Sequence, residues 1–212
     1  MIEASIREYI ETEILPRYSA FDKAHQADHV NMVISQSLDL ASRLQDIDAN
    51  MAYVIAAYHD LGLINGRENH HKDSRIILEN DPVLKRHFST EQIRVMGEAV
   101  EDHRASKSGK PRSIYGLIVA EADRCINCES IIRRTIQYGL GNFPDFTKEE
   151  QFLRTTDHLN KKYGPDGYLK VWLPCSDNAQ RLQELRSVIS NPEVIREVFE
   201  RIYDEETVNR HD

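Results

Sequence analysis

Residues 51–62 read MAYVIAAYHDLG, and the reading of this stretch decides the fold. A helix on the surface keeps one polar face, whereas this run is apolar nearly all round. It therefore predicts a central, buried helix, starting after a cap at Asp48 or Asn50 and stopping near Gly62. At its C-terminal end stand two polar groups, His59 and Asp60. Burying them requires compensation, and coordination of a cation supplies it.

Outward from this helix, apolar residues recur at helical spacing. Ile2, Ile6, Tyr9 and Ile10 form one stripe, and Val30, Val33, Ile34, Leu38, Ala41 and Leu44 form a second. On the other side, NGRENHH reads as a polar loop carrying His70 and His71, followed by a helix through Ser74, Ile77 and Leu78 that ends before Asn80-Asp81-Pro82. Ser89 to Gln92 supply caps for a helix bearing Ile93, Met96, Val100 and His103. The basic loop RASKSGKPR separates it from a helix over about 113–128. Gly139, Gly141 and Pro144 interrupt the chain before a helical stretch over about 147–162. YGPDGYLKVWLP reads as a turn and a short extended piece, and 180–206 as two helices divided at Asn191-Pro192. With no strand series and no internal repeat, the fold class is all-α.

The 212 residues are 40% hydrophobic, which suits one globular domain with a substantial core. No run approaches the roughly 18 apolar residues of a membrane span, and the acidic, amphipathic start does not read as an export signal. Three cysteines make no disulfide framework, so a cytoplasmic protein is expected. A net charge of −8 opposes binding to long nucleic acid. It permits a small phosphorylated ligand held by the local basic cluster Arg104, Lys107, Lys110 and Arg112.

Two further groups turn toward apolar neighbours as His59 and Asp60 do. His29 lies beside Val30 and one turn before Val33, and Asp123 lies one turn after Val119 and Ala120. Two imidazoles and two carboxylates suit one divalent ion of Mn, Mg, Co, Ni, Fe or Zn and leave coordination positions open, as catalysis requires. The competing reading is that these four residues cap helices and pair with one another.

The segments AHQADHV with His29, AAYHDLG with His59-Asp60, and IVAEADR with Asp123 together resemble the HD-domain superfamily of metal-dependent phosphohydrolases, in its small soluble single-domain branch. The resemblance covers about 20–135. It implies a compact orthogonal helical bundle over 1–212, with 136–212 as a helical extension packing on the core. It also implies His29, His59, Asp60 and Asp123 as metal ligands, Asp60 orienting the attacking water, and a small phosphorylated substrate, most plausibly a nucleotide. His70 and His103 match positions that line the site in the superfamily. They are expected as proton donors or phosphate contacts, or as ligands of a second metal, although the GYP signature of the dinuclear phosphodiesterases is missing after His103.

Arg104, Lys107 and Arg112 are the expected substrate-binding residues, with Glu101 and Asp102 orienting His103. His25 is a fifth ligand candidate or a donor behind the ligands. Cys125 and Cys128 read as core thiols, and Trp172 as a packing residue that could also close over a nucleobase. Two other readings stay open, a module that senses a nucleotide or metal without turnover and a di-iron oxygenase, and a homodimer is compatible with all of them.

Overall fold

The computed structural model describes residues 2–21, 27–104, 109–124 and 126–208. Every regular element among them is helical, and the chain divides into two units. The first comprises 1–124 together with 172–176, and the second comprises 125–171 and 177–212.

The first unit opens with α1 (Ala4–Tyr9), a π turn (Ile10–Ile14) and a 3-10 helix (Leu15–Ala20). Ile2, Ile6, Ile10, Ile14 and Tyr18 are all buried, a stripe that repeats every fourth residue. Such a stripe drifts about 40° per step around a helix of 3.6 residues per turn. The wider i→i+5 turn at Ile10–Ile14 offsets part of that drift between Ile10 and Ile14.

Next come α2 (Ala27–Ser42) and α3 (Ala49–Tyr58), the latter capped by the Asp48 carboxylate, which accepts from the Asn50 amide at 2.8 Å. Every side chain from Met51 to Tyr58 is buried, so α3 is the central helix, as its composition predicts. It stops before the doublet. His59 is its C-cap, and Asp60 leads into a 3-10 helix (Leu61–Asn65) that ends at Gly66, whose φ of 100° favours glycine.

The helix α4 (His70–Asn80) begins at His70, so His70 and His71 occupy its first turn instead of the polar loop assigned from sequence. After the short α5 (Leu84–His87), α6 (Thr90–Asp102) starts in a capping box of Ser89 and Gln92. The helix expected over about 113–128 is shorter. Its core α7 spans Ile114–Ala122, and Asp123 closes it. Around α3 stand α2, α4, α6 and α7. The stretch Trp172–Ser176 completes this unit: the Trp172 amide donates to Glu121 at 2.9 Å, Leu173 is buried, and the Cys175 carbonyl accepts from Arg43 at 3.0 Å.

In the second unit, α8 (Cys128–Asn142) runs through Gly139 and Gly141, where a break was expected. Asn127 caps it, and its buried stripe of Ile132 and Ile136 holds the helix against neighbours despite the glycines. Then follow α9 (Lys148–Tyr163), α10 (Asn178–Ile189) and α11 (Pro192–Val208). The segment before α10 contains a turn and no strand. No helix among the described residues is long and apolar enough to cross a membrane.

Asp81 ties the first unit together. Its Oδ2 accepts from the Tyr9 and Tyr58 hydroxyls, each at 2.6 Å, and its Oδ1 accepts from the Val83 and Leu84 amides at 2.8 and 3.2 Å. Burial alone would raise its pKa, but these four donors hold it below the ordinary carboxylate value. A depressed folded pKa contributes stability above the unfolded value, near 3.9, and that contribution fades as pH falls through the folded value. Asp81→Ala should therefore cost about 2–4 kcal/mol at pH 7 in urea unfolding, with the gap to wild type narrowing at pH 3. A gap equal at both pH values would contradict an ionised hub.

Candidate metal centre

Three helices of the first unit end on residues of one cluster. His59 is the C-cap of α3, His103 of α6 and Asp123 of α7. The last carbonyls of a helix lack amide partners and carry partial negative charge. Two of the histidines satisfy their own helix end, with Nδ1 of His59 on the Ala56 carbonyl at 2.7 Å and Nδ1 of His103 on the Val100 carbonyl at 2.6 Å. At the start of α4, Nδ1 of His70 reaches back to the Arg67 carbonyl at 2.8 Å. A carbonyl only accepts, so each Nδ1 carries the hydrogen. In the neutral ring, Nε2 is left as a lone pair.

These lone pairs face one another and the carboxylates. His29, in the first turn of α2, brings Nε2 to 3.3 Å from His59 Nε2 and 3.3 Å from Asp123 Oδ1. Asp60 lies between two sets. Its Oδ2 is 3.2 Å from His59 Nε2 and 3.6 Å from His29 Nε2, while its Oδ1 is 3.5 Å from His70 Nε2 and 3.4 Å from His103 Nε2. The Nε2 atoms of His70 and His103 are 3.2 Å apart. His29, His59 and Asp123 form one group able to hold an ion, and Asp60, His70 and His103 form another.

The donor set fits divalent metal. Ligands about 2.1 Å from a shared ion stand roughly 3.0–3.5 Å apart at octahedral or tetrahedral angles, close to the spacings seen here. Charge points the same way. Burial would raise the pKa of Asp60, yet the surrounding imidazoles hold it well below the carboxylate range, and Asp123 is lowered by His29 and its neighbours against the same penalty. Burial would lower His29, but hydrogen bonds to Asp123 and Asp60 raise it to about 9. Two anionic carboxylates, inward lone pairs and three helix C-termini favour positive charge at the centre.

The other sequence candidates lie in different surroundings. Arg104 donates from Nη1 to the Glu68 carbonyl at 2.6 Å and sits 3.4 Å from Nδ1 of His71. The Arg112 guanidinium is engaged elsewhere, on Asp102 at 2.8 Å and Glu101 at 2.7 Å, so the structure does not bring it to the ligand cluster. The partner of His103 Nδ1 is the Val100 carbonyl, while Asp102 and Glu101 hold Arg112. Trp172 packs against the first unit's core, and Cys128 is half-buried at the start of α8. Lys107, His25 and Cys125 lie outside the described residues.

Sequence reasoning missed Tyr18. Its hydroxyl donates to the Ala57 carbonyl at 2.9 Å and accepts from the Asp60 amide at 3.4 Å, fixing the turn that carries the doublet. Its four-residue step after Ile14 was the available signal. Ser74, which the sequence placed only on a helix with Ile77 and Leu78, accepts from the Gly62 amide at 2.8 Å.

Against known families, residues 27–128 match the HD domain. Comparison with curated proteins and with solved structures gives no match.

Gly62 sets how closely α4, which carries His70, approaches the turn that carries Asp60. A Cβ there would fall well inside contact distance of the His70 carbonyl and the Ser74 amide, both backbone atoms of α4. Gly62→Ala must push α4 away and carry His70 from Asp60, with a stability loss of about 1–3 kcal/mol. Elemental analysis of the folded variant after manganese loading should show less metal per chain than wild type. Unchanged metal content and melting temperature would refute this role for the glycine.

Proposed function

Because residues 27–128 match the HD domain, we propose that this chain is a metal-dependent phosphohydrolase acting on a small phosphorylated metabolite, with a nucleotide as the favoured substrate. The observation that carries the reading is the convergence of imidazole Nε2 lone pairs, fixed by Nδ1–carbonyl bonds, on two anionic carboxylates. His29, His59 and Asp123 would hold one ion of Mn, Mg, Co, Ni, Fe or Zn, and His70 and His103 a second, with Asp60 offering one oxygen to each. A bound divalent metal would lower the pKa of water toward about 7 and polarise a phosphoryl oxygen, the two requirements of phosphoester hydrolysis.

The chain's own groups supply the rest. In their fixed tautomer His70 and His103 offer lone pairs to the centre, which favours a ligand role over proton donation to a leaving group. Arg104 is the substrate-binding residue in this reading. Its Nη1 is anchored on the Glu68 carbonyl, and Nε and Nη2 are left for phosphoryl oxygens. Because an arginine only donates, His71 Nδ1 accepts from Arg104, and the neutral His71 ring keeps its hydrogen on Nε2 as a further donor for phosphate.

The six donors also suit a di-iron oxygenase, and metal analysis with an activity screen separates the two. Phosphate release from nucleotides or generic phosphoesters across divalent metals supports hydrolysis, whereas two irons per chain with oxygen consumption and no phosphate release would replace this reading. Asp60→Asn and Arg104→Ala should then fail differently. Asp60→Asn removes the negative charge and one of the two carboxylate oxygens that stand between the groups, so metal content and turnover should collapse together. Arg104→Ala should keep its metal and lose kcat/KM by about 10- to 200-fold, the range for one charge-assisted hydrogen bond of roughly 1.5–3 kcal/mol. Full activity of Arg104→Ala on every accepted substrate would remove Arg104 from the site.

A further inference from the structure

The first unit holds a cleft of about 230 Å³ lined by Ala20, Phe21, Leu63, Ile64 and Arg67, the last three on the segment between Asp60 and His70. Nothing in the ligand geometry requires it. It is nonetheless tied to the centre on two sides. The Phe21 ring stands edge-on to Tyr18 with centroids 5.3 Å apart, and the Tyr18 ring lies 6.5 Å from that of His59. On the other wall, Arg67 is the residue whose carbonyl fixes His70.

The walls differ in chemistry. Phe21 supplies an aromatic surface, while Leu63 and Ile64, on the 3-10 helix just after the doublet, supply aliphatic ones. Ile64 is 69% exposed, a large apolar side chain in water four residues after Asp60. Arg67 adds donors from a guanidinium at the edge. Pockets that enclose a whole small ligand usually measure about 300–1,000 Å³, so a cleft of about 230 Å³ suits one flat moiety of a larger molecule. An aromatic wall, aliphatic walls and a guanidinium together match a heteroaromatic ring whose edge carries acceptor atoms.

We propose that this cleft is the specificity subsite of the enzyme and receives the nucleobase of a nucleotide whose phosphate reaches the metal centre. The proposal rests on the phosphohydrolase reading for the phosphate end, but base recognition at Phe21, Leu63, Ile64 and Arg67 is a separate property of the cleft. Ile64 and Arg67 would set which base is preferred: Ile64 through apolar contact with the ring face, Arg67 through hydrogen bonds to acceptors on its edge. Neither side chain is a metal-ligand candidate, and the bond from His70 is to the Arg67 backbone, so substitution of either leaves the ligand cluster's hydrogen bonds in place.

The test uses the full chain loaded with manganese and titrated calorimetrically with inosine and, separately, with ribose, which differ only by the base. Wild type should bind inosine saturably and ribose at least tenfold more weakly, and Ile64→Ser and Arg67→Ala should each weaken inosine binding by about tenfold. In parallel, the ratio of kcat/KM for inosine monophosphate to that for glycerol phosphate should fall by a similar factor in each variant. Inosine binding no tighter than ribose, or unaffected by both substitutions, would overturn the subsite. Inosine binding that depends on Ile64 and Arg67 in a protein that hydrolyses no phosphoester would uphold the subsite and sink the phosphohydrolase reading. Hydrolysis of both phosphoesters with no response to either substitution would do the reverse.

Discussion

The structure depends on a local solution to a general problem, the unpaired carbonyls at the C-terminal end of a helix. In α3 and α6 a histidine three residues on turns its Nδ1 back to such a carbonyl. One bond then does two things: it satisfies a buried acceptor and it fixes which ring nitrogen faces away from the helix. Because both helices end at the same place, and α7 ends there on Asp123, the chain brings lone pairs and carboxylates together simply by stopping three helices. The same arrangement brings three negative dipole ends close to one another. That is unfavourable in isolation and becomes favourable only around positive charge.

The position of the stop is held from outside the cluster. Tyr58, the last residue of α3, is bonded to Asp81, which also takes the Tyr9 hydroxyl and the amides that begin the next turn. Tyr18 holds the Ala57 carbonyl and the Asp60 amide from the other side. The doublet is thus clamped between the N-terminal helical stripe and the α4–α5 corner. Side chains far from the ligands in sequence determine where the ligands sit.

Much of this was legible in the residues alone. The apolar run at 51–58 announced the central helix, Asp48, Ser89 and Thr147 announced helix starts, and His29, His59, Asp60 and Asp123 were drawn together by their apolar surroundings. What was not legible depends on contacts between segments. A polar composition made 65–71 look like loop, but the close approach of Gly62 to the His70 carbonyl and the Gly62 amide bond to Ser74 set α4 directly against the turn after the doublet. Nor could the sequence show that Arg112 would be drawn to Asp102 and Glu101, since a basic residue at the end of a loop reads alike whether it meets substrate or a carboxylate. Glycines in α8 looked like breaks because propensity says nothing about the buried stripe that overrides it.

The return of Trp172–Ser176 to the first unit gives the chain an order of assembly. The Trp172 amide meets Glu121 across 51 positions, and everything between belongs to the other unit apart from Ala122, which ends α7, and the turn after it. During synthesis the N-terminal unit therefore emerges with a gap at Glu121, Arg43 and the core around Leu173. It must wait until the excursion through α8 and α9 has left the ribosome before that gap closes. Closing so long a loop carries an entropic cost that grows only slowly with its length, so the delay is one of timing more than of stability. A nascent chain stalled before residue 172 would hold all six ligand candidates and yet lack the strap that finishes the wall behind α7.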